Sequence, residues 1–74
     1  MNTLIARLKE HDESGTAYWL DYVTLKSGFT YRNLEVSRYS EDSILGTYQH
    51  PKSGETVEVY LQVEEIATTQ IVLK

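Results

Sequence analysis

The chain has 74 residues, a formal net charge of −4 and no cysteine. One small domain is the expectation. Disulfides and thiolate metal sites are excluded, so a partner subunit is the help left to a core of this size. The acidic balance works against sequence-independent binding to phosphate backbones.

No apolar run approaches membrane-spanning length. The N-terminal stretch MNTLIARLKEHDESG lacks the apolar centre of a signal peptide. Both set the expectation of a cytoplasmic protein, and the lack of cysteine fits a reducing compartment.

Residues 3–12 predict a short amphipathic helix with Thr3 as its N-cap. Leu4, Ile5 and Leu8 fall on one face and Arg7, Lys9 and Glu10 around the other. A helix this short must dock on something to persist, and Gly15 ends it.

Residues 17–26 predict a first strand. Trp19, Val23 and Leu25 share one face, and Tyr18, Leu20 and Tyr22 the other. Apolar residues on both faces suggest a strand covered on both sides, with the helix as the second cover. Lys26-Ser27-Gly28 predicts a tight hairpin. The second strand, 29–38, carries Phe29, Tyr31, Asn33 and Glu35 on one face and Thr30, Arg32, Leu34 and Val36 on the other.

A polar turn at Ser40-Glu41-Asp42-Ser43 leads to a third strand, 43–50. Gly46 inside it marks a bend or a close backbone approach. Pro51-Lys52-Ser53-Gly54 reads as the next turn. The fourth strand, 55–63, alternates cleanly: Val57, Val59, Leu61 and Val63 against Thr56, Glu58, Tyr60 and Gln62. Glu64-Glu65 suggests one 3₁₀ turn, and 66–73 a fifth strand. The predicted fold is one mainly β domain, 1–74: a short N-terminal helix, then a five-stranded, strongly bent antiparallel sheet or small open barrel.

This order resembles the Sm-like family, which includes the LSm proteins and bacterial Hfq. LIARLKEH at 4–11 is similar to the family's N-terminal helix. VTLKSGFTYRN at 23–33 resembles the first part of its Sm1 motif, with Asn33 where the family often has glycine. VSRYSEDSIL at 36–45 resembles the rest of Sm1 and is one residue longer. VYLQVEEI at 59–66 resembles Sm2. A phage or other mobile-element source fits so divergent a member.

The resemblance implies an SH3-like open barrel and a closed homo-oligomeric ring of roughly five to seven subunits joined by strand pairing. It also implies RNA in or around the pore. The chain departs from the RNA-binding pattern. Ser40-Glu41-Asp42-Ser43 replaces the base-binding loop and offers no stacking side chain. Gln62 and Val63 replace the basic residue and the glycine of Sm2, and Glu64-Glu65 follows.

If RNA is bound, Arg32, Arg38, Tyr39 and Gln62 are the candidates. The subunit-interface candidates are Val57, Val59, Tyr60, Leu61, Thr69, Ile71 and Val72. The segment ATTQIVL at 67–73 holds no charge, proline or glycine, so left as a free edge it would template aggregation. That argues for pairing on both of its sides, whatever the family.

The acidic pairs Glu41-Asp42 and Glu64-Glu65 read as solvated turns, and His11 and His50 supply too few ligands for a zinc site. No metal or other cofactor is expected. The six tyrosines and Trp19 read as core or interface, with Tyr39 and Tyr48 as the most exposed. No phosphate loop or nucleophile arrangement is visible, which points away from an enzyme. The leading expectation is a ring-forming Sm-like scaffold or binding module. The alternatives are a true single-stranded RNA-binding ring and a monomeric SH3-like adaptor gripping a peptide with its aromatics.

Overall fold

In a computed structural model, residues 3–74 are described. A helix α1 (Thr3–Glu13) is followed by strands β1 (Tyr18–Leu25), β2 (Thr30–Tyr39), β3 (Ser43–Gln49), β4 (Thr56–Gln62) and β5 (Ile66–Leu73), with a 3₁₀ turn at Val63–Glu65. All pairings are antiparallel, and the strand order is β4-β3-β2-β1-β5 in one unclosed sheet. Mainly β, with a short helix ahead of a bent sheet, is therefore what the chain adopts. The hairpin at Lys26–Gly28 closes through Leu25 N–H to Phe29 O at 2.8 Å. Gly28 takes φ +97°, which its missing Cβ permits.

One core holds the molecule together. Leu8, Leu20, Val23, Leu34 and Ile44 are fully buried, and Ile5, Leu61 and Val63 nearly so. Ile5 and Leu8, one turn apart on α1, enter this same core beside Leu20 and Leu34. The helix is thus no second cover for an outer face of β1. Tyr18, Leu20, Val23 and Leu25 all pack into or against the core, whereas Trp19 and Tyr22 stand outside it.

The two-face assignment of β1 fails for an identifiable reason. Pairing with β5 runs Leu20↔Ile71 and then Tyr22↔Gln70, so Asp21 is an extra residue, a β-bulge. A bulge exchanges the faces beyond it. Trp19 therefore lies opposite Val23 and Leu25, and Lys74 Nζ sits 5.9 Å over its ring.

Strand β2 switches face as well. Asn33, on the other side of the bulge, takes φ +52°, a left-handed conformation that asparagine tolerates better than most residues. A second register shift lies between Val36 and Arg38. Tyr31, Leu34, Val36 and Tyr39 consequently all meet the core, across the two faces that strict alternation assigned. Gly46 lets β2 approach closely, because a Cβ there would lie 2.9 Å from Leu34 Cγ.

Candidate binding groove

The β2–β3 ladder runs from Tyr39↔Ile44 to Glu35↔Thr47 and stops. Toward the hairpin, Thr30–Leu34 continue to pair with β1. On the other side, Tyr48 and Gln49 continue to pair with β4. One sheet thus divides into two leaves, and the left-handed Asn33 sits where they part. The wedge between them is an open groove of about 1030 Å³, at the upper end for ligand sites.

Phe29, Tyr31 and Tyr48 form an aromatic row in the groove. Their rings meet edge-on, with centroids 4.8 Å apart for Phe29–Tyr31 and 5.3 Å for Tyr31–Tyr48. Phe29 is the first residue of the strand predicted over 29–38. It lies just before β2 and is 55% exposed, a large apolar surface left to water beside two other rings.

Among the polar groups around the row, His50, Glu35 and Arg32 set the charge and the donor pattern. His50 Nδ1 accepts the backbone N–H of Lys52 at 3.2 Å and of Ser53 at 3.4 Å. An imidazole nitrogen that accepts carries no proton, so Nε2 bears it and is free to donate. Glu35, at the closed end of the wedge, is met by Lys74 Nζ at 3.7 Å. Arg32 lines the groove, and no ion pair engages it among the described residues.

The RNA-binding candidates do not converge. Arg32 is in the groove. Arg38 and Tyr39 lie on the order of 20 Å farther along β2, beside a hollow of about 80 Å³ shared with Ser40, Ser43, Leu45 and Tyr60. Gln62 pairs with Ser43 in the β3–β4 ladder.

Tyr39 is half-buried, and its hydroxyl donates to Asp12 Oδ2 at 2.6 Å, tying β2 to the end of α1. That bond to a carboxylate pushes the phenol up to about 12. Tyr18 is raised too, by burial first and then by the charge of Asp12. The expected exposure of Tyr39 and Tyr48 is therefore corrected. Both pack against the core, and the exposed aromatics are Phe29 and Tyr60, at 55% and 68%.

The two acidic turns are neighbours, since Val63 N–H donates to Asp42 O at 2.9 Å. Glu41, Asp42, Glu64 and Glu65 are all exposed. Among the described residues, no three His, Asp or Glu side chains gather as metal ligands. No helix of the described residues is long and apolar enough to cross a membrane.

The interface candidates all fall on β4 and β5, the outermost strands of the sheet. Leu61 is 5% exposed, so its side chain belongs to the chain's own core. Tyr60 points outward, Val57 and Val59 are half-buried, and Thr69 Oγ1 donates to Tyr22 O at 2.6 Å. Sequence reasoning missed the groove. The spacing Phe29, Tyr31 was visible, but Tyr48 joins them only through the way the sheet divides.

No family model matches the chain, and no match is found among curated proteins or solved structures.

Proposed function

We propose that this chain is a non-catalytic, self-assembling module of the Sm-like kind, closing a cytoplasmic homo-oligomeric ring. The observation that carries the reading is the strand order, which leaves β4 at one margin of the sheet and β5 at the other. The two margins differ, so pairing β4 of one subunit with β5 of the next repeats head to tail and closes when the rotation permits. It also covers the uncharged ATTQIVL edge. The left-handed Asn33 supports the same reading, because glycine is frequent at that place in the family resembled.

RNA fits less well. The side-by-side acidic turns are the loops that, on the resemblance, would line the pore. The family's function does not follow from a fold alone.

Backbone directions name the residue to change. The Leu25–Phe29 bond fixes the alternation of β1: Tyr22 and Thr24 turn their backbone groups to β5, and Val23 turns away from it. Thr69, opposite Val23, therefore aims its N–H at the free margin, and Ile71, two residues on, aims the same way; Gln70 between them faces β1, as does Lys74, whose N–H donates to Ala17 O at 2.9 Å. Thr69→Pro removes one donor from each interface and strands an acceptor on the neighbour, costing about 2–4 kcal/mol per contact.

Sedimentation velocity at micromolar concentration should find the parent as a closed oligomer and Thr69→Pro as smaller species with unchanged circular dichroism. Ile71→Pro should act as Thr69→Pro does, whereas Gln70→Pro, on the β1 side, should disturb the fold itself. A parent that sediments as a folded monomer overturns the proposal.

A further inference from the structure

We infer that the groove between the two leaves of the sheet binds an extended peptide segment that presents apolar side chains and a carboxylate. The inference concerns neither sheet margin and does not rest on ring formation.

The backbone points to a peptide. From Thr30 to Leu34, β2 pairs with β1 alone, and among the described residues no strand takes its other side. The Leu25–Phe29 bond sets the alternation here too, so Thr30 and Arg32 turn their backbone groups away from β1 and into the groove. An extended chain laid there gains main-chain hydrogen bonds by strand addition, with alternate side chains reaching pockets on one face. Phe29, Tyr31 and Tyr48 offer that face, and Phe29 already stands 55% in water.

Charge selects the rest of the ligand. Arg32 and the Nε2–H of His50 are donors without an acceptor among the described residues, whereas the one carboxylate on the lining, Glu35, is met by Lys74. A carboxylate on the peptide, from a side chain or its C-terminus, complements them. A nucleic acid strand is disfavoured, because Arg32 is the only lysine or arginine lining the groove and the chain is net acidic.

The test is selection from a random decapeptide display library on the full chain, with counter-selection on Phe29→Ser and Arg32→Glu, exposed positions whose change leaves the core intact. Enriched peptides should alternate apolar residues around an acidic one. A synthesised winner should shift the amide resonances of Thr30, Arg32 and Tyr48 in the parent. Its affinity should fall about tenfold with either substitution, and amidation or Asp→Asn in the peptide should weaken it more in the parent than in Arg32→Glu.

No enrichment over the variants, or shifts confined to β4 and β5, overturns the inference. So does a uridine decamer that binds the groove more tightly than every selected peptide. Because the resonance map is read at the groove, it stands apart from the oligomeric state: a monomer that binds peptide ends the ring and keeps the groove.

Discussion

A methyl group added at Gly46 would lie 2.9 Å from Leu34 Cγ, 3.1 Å from Leu34 Cδ1 and 3.0 Å from the Glu35 carbonyl oxygen. Leu34 is fully buried and can yield only by disturbing Leu20 and Ile44 beside it, and the Glu35 oxygen is backbone. Overpacking of this kind costs about 1–3 kcal/mol. Gly46 has an ordinary negative-φ strand conformation, so alanine also narrows the unfolded ensemble and returns about 0.4–1 kcal/mol. The net loss for Gly46→Ala is about 1–2 kcal/mol, and a domain of this size shifts by about 4–8 °C per kcal/mol.

Thermal melting at one fixed protein concentration should therefore show Tm falling by about 4–16 °C. The concentration must be held because assembly makes Tm depend on it. Leu34→Val, which removes a methylene at the clash, should cost less in the Gly46→Ala background than in the parent, a coupling that a double-mutant cycle reads directly. A Gly46→Ala protein as stable as the parent would refute the close approach of β2 over β3.

Leu8→Asp places a carboxylate at a fully buried position and should cost about 3 kcal/mol or more, enough to lower the melting transition sharply or abolish it; an unchanged melt would detach α1 from the core. Tyr39 titrates from about 12 when folded against 10.0 when unfolded, so the stability from its bond to Asp12 is whole below pH 10 and lost as pH rises through 12. Ultraviolet titration should show one phenol ionising last, and that late step should vanish in Tyr39→Phe and move earlier in Asp12→Asn.

The element order was legible because each strand alternates over a few residues and each turn carries its own chemistry: Gly28 in the first hairpin, Pro51 and Gly54 in the third connection. Clean alternation also placed Leu61 inward on β4, a strand with no bulge, and Val63 inward in the turn just after it. It failed on β1 and β2, where a single extra residue at Asp21 and the left-handed Asn33 exchange the two faces. Leu20 and Val23, three apart and both fully buried, are the trace of that bulge in the sequence. An odd spacing of apolar residues in a strand signals a bulge as readily as a strand covered on both sides.

The groove was hidden for a different reason. It follows from where the β2–β3 ladder ends, a property of paired strands that no single segment carries. The acidic turns were legible as turns, while their adjacency rests on the Val63–Asp42 bond between loops distant in sequence.

The strand order also sets the sequence of events when the chain folds. Strands β1 to β4 are joined neighbour to neighbour by short turns, so each pairing closes a small loop at little entropic cost. The β1–β5 pairing is different: Thr69 meets Tyr22 across 47 residues. That closure comes after the meander has formed and supplied β1 as a template. The uncharged ATTQIVL is thus the strand that waits longest for its partner, and the docking of β5 is the closure with the largest entropic cost.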